Sequence, residues 1–468
     1  MKESKRKTIK NLFLKKENGW GKTNKKAEQE INKFAESYIR FLNAARTERE
    51  SVKEIERIVK KNGFLNLDKT SSLKPGDRVY QIKKEKSIFL ASIGKTPKIT
   101  GVVSHIDSPR IDLKPMPLIE DSELALLKTQ YYGGIKKYQW TNRALSIHGV
   151  IFTKDLKKIE IRIGDNDNEP SFIISDLLPH LATDQMQKSA KDAVTGESLN
   201  IIIGNRITND KDDKIKDKVK ANILSILNKK YSITEEDFIS AEIEIVPSEK
   251  ARFAGLDRSM IIGYGQDDRS CSYASLRGIL DTKNQKNTAI SFFVDKEEIG
   301  SEGNTTAKTR TITNFIKEIT KKAFPKSLKD INKIIEESEI ISADVTAGVN
   351  PDYKDVHDLK NAAYISRGIV IEKYTGNHGK YMSNDANAEY VGKIRNLMNK
   401  NNIIWQSASL GKVDTGGGGT VAIYFSQLGF EVIDMGIPLL GMHSPMELSS
   451  TLDLYQAYNA YRVFLNGN

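Results

Sequence analysis

Apolar positions recur at intervals of three or four near the start of the chain, between residues 22 and 62. This spacing is typical of a helix that buries one face, and Gly63 supplies a helix stop. The positions concerned are Ile31, Phe34, Tyr38, Phe41 and Leu42. Short apolar runs follow at residues 78–82, 87–93 and 99–104, and their length predicts strands.

The pattern changes in the middle of the chain. Between residues 111 and 245, short segments alternate apolar and polar positions, and turn-forming residues such as those at 164–168 separate them. Alternation with a period of two is typical of strands that bury one face. We therefore predict a mostly-β insert at residues 111–250.

Apolar runs of strand length alternate with helical stretches after residue 251. The runs lie at residues 290–294, 340–343, 369–371, 403–405 and 432–433, and helical stretches lie at 311–324 and 385–399. Strands that alternate with helices predict an α/β domain with a mainly parallel central sheet. Both ends of the chain, residues 1–110 and 251–468, would form that domain around the insert.

Composition excludes several classes of protein. The 468 residues include a single cysteine, Cys271, so an internal disulfide is impossible and a reducing compartment, the cytoplasm, is expected. No apolar run approaches the roughly 18 residues that span a bilayer, and the N-terminus lacks the apolar core of a standard signal peptide. The sequence therefore predicts neither a membrane protein nor a disulfide-stapled secreted one.

The net charge of +11 is concentrated at the N-terminus. Residues 1–26 hold ten Lys or Arg and two Glu, which leaves a charge of 10 − 2 = +8 on this segment. An enzyme that binds nucleic acid usually carries its positive charge on the folded face that grips phosphates. We interpret the segment as a solvated basic arm and expect no nucleic-acid partner; contact of the arm with a nucleic acid or another acidic surface is the alternative.

Polar side chains that could carry chemistry follow the predicted strands. They are His105 and Asp107, Asp257, Glu297 and Glu298, Asp344, and His443. Functional groups collect at the carboxyl ends of parallel strands, and two histidines with several carboxylates suit a two-metal site. Each residue alone also has a structural explanation: a hydrogen-bonded histidine, a solvated pair of glutamates, or an Asp that caps a helix.

The motifs around these residues resemble those of one family, the aspartyl aminopeptidase and vacuolar aminopeptidase I family of dinuclear zinc metallopeptidases, and especially its bacterial members. The matching stretches lie, in the family's order, at residues 104–109, 255–257, 295–301, 344 and 442–445, together with 373–376 and 414–420. The resemblance spans nearly the whole chain. It implies a catalytic domain with α/β/α layers, a dimerisation role for the insert, and a homo-dodecamer that acts on peptides.

The resemblance also implies the roles of individual residues. Asp257 would bridge two zinc ions per subunit, which cobalt or manganese could replace. Glu297 would be the general base, taking a proton from water and passing it to the leaving amine, and Asp107 would orient His105. A cis peptide bond is expected between Asp257 and Arg258. The complete set of metal ligands would be His105, Asp257, Glu298, Asp344 and His443.

Other positions resemble parts of the family's substrate site. His180 resembles an insert histidine that reaches the active site of a neighbouring subunit, with a structural histidine as the alternative. Lys380, next to Tyr381, could pair with an acidic substrate side chain, or it could be a solvated loop lysine. Gly417 and Gly418 lie in a run of four glycines, which would form either a close-packed wall of the substrate site or a loop that leads into a helix.

The chain departs from the animal aspartyl enzymes at two positions, where Ala347 and Asn350 replace histidines. The preferred N-terminal residue of the substrate therefore stays open. Two other functions also remain: a hydrolase of the same clan that cleaves another amide, such as a deacylase, and a non-enzymatic scaffold protein with a basic tail. The presence of every candidate ligand together with the base argues against the scaffold protein. The ligands do not distinguish the aminopeptidase from the deacylase; the residues that line the substrate pocket would.

Overall fold

The computed structural model describes residues 9, 12–14, 17–210, 214–376 and 378–467. Part of the predicted basic arm, including residues 1–8, lies outside the described residues. Within the described part, helices α1–α10 lie, in chain order, at Lys25–Ala44, Glu48–Lys61, Thr183–Met186, Lys218–Tyr231, Gln266–Leu280, Thr311–Ala323, Ile331–Glu336, Ala388–Lys400, Ala422–Gln427 and Thr451–Asn466.

Strands β1–β20 of the described residues lie, in chain order, at Leu65–Asn66, Arg78–Lys83, Ser87–Ser92, Thr96–His105, Arg110–Asp121, Leu124–Tyr132, Leu145–Phe152, Lys158–Ile163, Ile201–Gly204, Ala241–Pro247, Arg252–Ala254, Met260–Gly263, Asn287–Val294, Glu339–Ser342, Thr346–Ala347, Ile369–Glu372, Trp405–Ser407, Glu431–Gly436, Pro438–Leu440 and Glu447–Ser450. They form three sheets.

A mixed sheet of nine strands organises the two ends of the chain. Its order is β1-β2-β3-β13-β4-β14-β18-β16-β17, and five of its eight strand pairs are parallel. Neighbouring side chains of β13 lie on opposite faces of the sheet. Phe293 packs in an apolar cluster with residues of α1, α2, α5 and α10, whereas Phe292 packs in a cluster with residues of α6, α7 and α9. The predicted α/β class is confirmed, with helices on both faces of the sheet.

The predicted helical region between residues 22 and 62 consists of two helices. The side chain of Asn24 caps α1 by accepting a hydrogen bond from the Ala27 amide, 2.9 Å away. The hydroxyl of Thr47 caps α2 by accepting from the Glu50 amide at 3.3 Å. The first backbone N–H groups of a helix lack partners within it, and the Thr47 side chain supplies one for the new helix. The chain therefore turns at Thr47 although the apolar spacing continues.

A six-stranded antiparallel sheet occupies the middle of the chain, in the order β8-β7-β10-β5-β6-β9. All its strands lie between Arg110 and Pro247, so the sheet begins one residue before the predicted range of the insert. Helix α4 covers one face, where Val219 joins the buried apolar cluster of this sheet. The division of the chain into two domains at residues 111 and 250 stays a prediction.

A third sheet of five short strands was not predicted. Its order is β11-β12-β20-β19-β15, so it joins segments almost two hundred residues apart in the chain. Each strand has only two to four residues, too few to show a periodic pattern. No helix among the described residues is long and apolar enough to cross a membrane.

Candidate metal centre

The carboxyl ends of three adjacent parallel strands converge at one edge of the nine-stranded sheet. His105 ends β4, Glu297 and Glu298 follow β13, and Asp344 follows β14. The Nε2 atom of the buried His105 lies 3.6 Å from Oδ1 of Asp344. The pairing of β4 with both neighbours thus brings together side chains from three segments that are far apart in the sequence.

The central carboxylate of this cluster is Asp267, and the prediction of Asp257 for that position is wrong. Asp257 is exposed between β11 and β12, where its Oδ1 accepts hydrogen bonds from the amide and hydroxyl of Ser259 at 3.1 and 2.8 Å. Asp267 lies in the first turn of α5 and is buried. The same pattern, a glycine two residues before an aspartate, occurs at both places, and only burial distinguishes them.

Asp267 connects the two histidines. Its Oδ1 lies 3.1 Å from Nε2 of His105, and its Oδ2 lies 3.2 Å from Nε2 of His443. Among the described residues, the cis peptide bond links Asp267 to Asp268. The prediction of a cis bond between Asp257 and Arg258 is therefore wrong. One carboxylate that offers a different oxygen to each histidine has the arrangement of a bridging ligand.

Among the described residues, three overlapping groups of side chains could hold a metal ion. Within each group the ligand atoms lie within 4.8 Å of one another. The first is His105, Asp267 and Asp344; the second is Asp267, Glu298 and His443; the third is His105, Glu297 and Glu298. The structure therefore brings together four of the five predicted ligands and the predicted base. Asp267 takes the place that the sequence prediction gave to Asp257.

Asp107 holds the turn that carries Glu297 and Glu298. Its Oδ1 accepts a hydrogen bond from the Glu297 amide at 3.1 Å, and its Oδ2 accepts from the Glu298 amide at 3.2 Å. The Nδ1 atom of His105 lies 3.0 Å from the backbone carbonyl of Asp107 and 3.4 Å from its Oδ1. In these contacts the Nδ1–H of His105 donates a hydrogen bond to Asp107. The Nε2 atom therefore faces the other ligands.

Glu447, on β20, is a buried residue of the site that the sequence analysis missed. Its Oε2 accepts hydrogen bonds from the amides of Gln266 and Asp267 at 2.6 and 3.2 Å, and its Oε1 accepts from the His443 amide at 2.9 Å. It therefore fixes the backbone of both Asp267 and His443. The signal available in the sequence was a glutamate four residues after His443, which by itself is ordinary.

Burial and the crowding of carboxylates shift the pKa values in the cluster. Burial raises the pKa of Glu297 to about 8; the charge of His105 opposes this shift, and the charges of Asp344 and Asp107 add to it. Burial also raises the pKa of Glu298 and of Asp344. A raised pKa means that the surroundings disfavour the charged form of these carboxyl groups, an effect that a nearby cation would counteract.

The pKa values of His443 and Asp267 shift against the effect of burial. Burial alone would lower the pKa of His443, but its hydrogen bond to Asp267 and the charge of Glu298 raise it to about 10. Burial would raise the pKa of Asp267, but hydrogen bonds from His105 and His443 hold it well below its usual range. Both imidazoles thus act as the positive partners of a carboxylate-rich centre.

The donor set suits divalent metal ions. Two imidazole nitrogens and several carboxylate oxygens are typical ligands of zinc, and Asp267 can serve two ions at once. Within the described residues, Asp267, Glu298 and Asp344 form ion pairs only with histidines, never with Lys or Arg. The chain therefore supplies ligands of the right chemistry without a permanent cation of its own among them.

The remaining predicted site residues lie outside this cluster. His180 is exposed in a short turn at Pro179–Leu181 within the middle part of the chain. Lys380 pairs with Asp385, with 2.8 Å between Nζ and Oδ2, and its ammonium lies 4.1 Å from the centre of the Tyr374 ring. Tyr381 is 68% exposed.

The glycine run touches the loop that carries Lys380 and Tyr381. The carbonyl of Gly418 accepts a hydrogen bond from the Gly376 amide at 2.6 Å. Gly417 adopts a φ of +127°, a conformation that favours glycine, and α9 begins shortly after the run. Both interpretations of the run, a wall beside the lysine loop and a lead into a helix, fit this arrangement.

Comparisons with known proteins point to one family. A family model described as aminopeptidase I zinc metalloprotease (M18) matches residues 41–465. The probable M18 family aminopeptidase 1 of Clostridium acetobutylicum is 46% identical over 456 residues, which cover 96% of this chain and 98% of the relative. Its counterpart from Thermotoga maritima is 48% identical over 441 residues, which cover 94% of this chain and 96% of the relative.

Solved structures give the same result. The crystal structure of an M18 family aminopeptidase from Thermotoga maritima has a TM-score of 0.93 at 46% identity and covers 97% of this chain and 100% of that chain. A structure of the mApe1 dodecamer of S. cerevisiae has a TM-score of 0.74 at 20% identity, over 92% of this chain and 95% of that one. At that identity the second similarity concerns the fold alone.

Proposed function

Because the chain belongs to the aminopeptidase I (M18) family of zinc metalloproteases, we propose that it is a two-zinc aminopeptidase with Glu297 as its general base. The observation that carries this proposal is the sharing of Asp267 by two groups of candidate ligands. A carboxylate shared between two sites is what a pair of ions roughly 3.5–4 Å apart requires.

The ligands divide into two sets. His105 and Asp344 would hold one zinc ion, Glu298 and His443 would hold the other, and Asp267 would serve both. When bound, such a pair of ions lowers the pKa of a water molecule and polarises the scissile carbonyl. Cobalt or manganese would fit the same nitrogen and oxygen donors.

Glu297 is the candidate for moving the proton. Its amide is held by Asp107, and its carboxyl is part of the same cluster as His105 and Glu298. A carboxyl group whose pKa is raised can accept a proton from the attacking water and release it to the leaving amine, since neither step is then strongly uphill near neutral pH. This is the role we assign to Glu297 in peptide hydrolysis.

The test is hydrolysis of chromogenic amides of Asp, Glu, Leu and Ala by metal-depleted protein and by protein restored with zinc or cobalt. Restoration should recover activity, and Glu297→Gln should lower kcat by about 100- to 10,000-fold, the usual range for a general acid–base residue. The four amides also determine the preferred N-terminal residue. Full activity of Glu297→Gln would overturn the assigned role.

Metal content separates a base from a ligand, because Glu297 also belongs to one of the three candidate ligand groups. The inactive Glu297→Gln protein should still bind two zinc ions per chain. Loss of an ion would make Glu297 a ligand instead. The matched control is Glu302→Gln, since Glu302 is exposed in the same loop and pairs with Lys308, and this variant should keep both activity and metal.

His180 would contribute from a neighbouring subunit. It is exposed and lies outside the cluster of its own chain, as expected for a residue that completes another copy's site. We propose that the chain assembles as a dodecamer, like the mApe1 structure, with the mass of twelve 52.5-kDa chains in light scattering. His180→Gln should then lower kcat without changing metal content or mass; unchanged kcat would exclude this role.

Lys380, Tyr381, Gly417 and Gly418 would contact the substrate. The Gly376–Gly418 hydrogen bond holds their two loops together, so one surface can present all four. Lys380 must leave Asp385 to pair with an acidic substrate, and Lys380→Ala should therefore change the rate on Asp and Glu amides but not on Leu amides. Cytoplasmic location stays a prediction from the single cysteine, which cell fractionation would check.

A further inference from the structure

The last residue of β6, in the six-stranded sheet, and the two residues after it reach into the candidate metal centre. Tyr132 comes first: its hydroxyl donates a hydrogen bond to Oδ2 of Asp107 at 2.9 Å, and the residue is only 9% exposed. Oδ2 is also the atom that accepts the Glu298 amide. The tyrosine hydroxyl therefore fixes the carboxylate that holds the turn carrying Glu297 and Glu298.

Gly133 comes next and lies against a proposed ligand. A Cβ atom at this position would be 3.3 Å from Cβ of Glu298 and 3.4 Å from Cα of Pro109. Its φ of +71° is also one that residues with a side chain rarely adopt. Glycine is thus favoured twice here, once for the backbone conformation and once because the Cβ of Glu298 and the Cα of Pro109 lie so close.

Gly134 completes the segment. Its carbonyl oxygen lies 3.0 Å from Nδ1 of His443. A carbonyl can only accept, so Nδ1 must donate the proton of this bond. In the neutral imidazole Nε2 then offers its lone pair towards Asp267 and Glu298, which lie 3.2 and 3.5 Å away. This is the tautomer that a metal ligand requires.

We propose that Tyr132, Gly133 and Gly134 form a positioning segment through which the six-stranded sheet sets the geometry of both metal positions. Tyr132 acts on the turn of Glu297 and Glu298 through Asp107, Gly133 sets the distance to Glu298, and Gly134 sets the tautomer of His443. This inference rests on the proposed function only in taking the cluster as a metal centre. It gives the middle part of the chain a role in the chemistry of the other part.

The first test is Tyr132→Phe, which deletes the hydroxyl and keeps the ring that packs 3.9 Å from the Arg110 guanidinium. Loss of a partner that orients metal ligands typically costs about 10- to 100-fold in metal affinity or activity, and we expect a loss of that size in Co²⁺ affinity and in kcat. KM should stay unchanged because no substrate contact is removed. The control is Tyr131→Phe, whose side chain is 43% exposed.

The second test is Gly133→Ala, which should reduce the number of Co²⁺ ions bound per chain by displacing Glu298. Gly63→Ala is its control, because Gly63 has a similar φ of +80° but open space where the Cβ would lie. Comparing the two separates the cost of the backbone conformation from the displacement of a ligand. Circular dichroism and light scattering would verify that each variant is folded and assembled.

Visible absorption of the Co²⁺-loaded protein reports ligand geometry independently of activity. Altered Co²⁺ spectra and weaker titrations in Tyr132→Phe and Gly133→Ala would support the proposal. Wild-type spectra, affinity and kcat in both variants would overturn it, and so would a wild-type protein that binds no Co²⁺. A wild-type protein that binds Co²⁺ but cleaves no amide would overturn the proposed function. The Co²⁺ titrations of the two variants would still decide whether the positioning segment sets the metal geometry.

Discussion

Two buried clusters of charged side chains lie on either side of Tyr132, and they are neutralised differently. The junction cluster consists of Glu48, Asp112 and Glu244 around Arg110 and Lys86. Arg110 lies 2.8 Å from Asp112 and 3.2 Å from Glu244, measured from its Nε to the nearest carboxylate oxygen. Glu48 lies 3.5 Å from Nη1 of Arg110 and also 3.5 Å from Nζ of Lys86.

The metal centre has carboxylates in similar density, but within the part of the chain that the structure describes their only partners of opposite charge are His105 and His443. Burying charges is costly unless they are paired and hydrogen-bonded. In the junction cluster the chain itself supplies permanent cations. In the metal centre the chain supplies histidines, which can lose their charge and bind a metal ion. An external cation can therefore bind there. Buried charge thus marks a functional site only where its neutralisation is left to a ligand.

The largest expected effect follows from removing the shared ligand. Asp267→Asn should abolish tight binding of both zinc ions and lower kcat/KM by about 1,000-fold or more, because both metal positions lose a charged oxygen. Zinc should raise the Tm of the wild type and not that of the variant, since only a bound ligand stabilises the fold. The matched control is Asp257→Asn, ten residues earlier and exposed; equal losses in both would refute the placement of Asp267 at the centre.

The next effect concerns the junction cluster and stability. Arg110→Met leaves the buried Glu48 and Glu244 and the partly exposed Asp112 beside one lysine. Breaking a buried pair in this way costs about 3–5 kcal/mol of unfolding free energy. Urea unfolding at neutral pH would measure the change. Lys53→Met removes one exposed partner of Glu160 and should change stability by less than about 1 kcal/mol. A small effect for Arg110→Met would show that these carboxylates become protonated or hydrated at little cost.

A smaller effect is expected at Glu447, which holds the backbone of Asp267 and His443 without ligating a metal itself. Glu447→Gln keeps the size of the side chain but turns an N–H donor towards amides that need an acceptor. Zinc affinity should fall by about 10-fold, at the lower end for residues that orient ligands. Calorimetric titration would measure it, with the exposed Glu389→Gln as control; unchanged affinity would remove Glu447 from the site.

The smallest effect is a pH dependence of stability from His148, a buried residue outside both clusters. Burial alone would lower its pKa, but hydrogen bonds to Asp165 and Glu50 raise it. Arg162 pairs with both carboxylates, and Ser146 lies 2.9 Å from Nε2 of His148.

A raised histidine pKa means that the folded state binds a proton more tightly than the unfolded one. The resulting stabilisation is complete below about pH 6.5, the unperturbed value, and is lost as the pH rises through the folded-state pKa. Urea unfolding between pH 5 and 9 should show this loss in the wild type and a flatter profile in His148→Gln. Parallel profiles would show that His148 does not titrate in this range.

Most residues of the metal centre could be found from the sequence because each follows a short apolar strand. His105, Glu298, Asp344 and His443 belong to local motifs that end such runs, and the adjacent Glu297 comes with Glu298. Asp267 could not be distinguished from Asp257 in the same way. Both follow a glycine by two residues, and the difference between a buried helix start and an exposed turn is set by packing.

The positioning residues were beyond reach for a different reason. Tyr132 reaches Asp107 through a hydrogen bond across 25 residues, and Glu447 reaches the Asp267 amide through one across 180 residues. Such contacts leave no local pattern, because a tyrosine at the end of a strand and a glutamate in a short strand are ordinary. The five-stranded sheet escaped prediction on the same grounds, since its strands are short and distant in sequence.

The sequence by itself determined the α/β class, the alternation of strands and helices, and the kind of ligands available, because periodicity and residue chemistry are local properties. The tertiary structure decided which aspartate joins the two histidines and which carboxylates of the described residues have no lysine or arginine partner. It also decided that the residues at the end of β6 and directly after it reach the centre. Those outcomes depend on the parallel register of β4, β13 and β14 and on the contact of the six-stranded sheet with their carboxyl ends. Burial and distance are properties of the packed chain, and they alone turn scattered polar residues into a site.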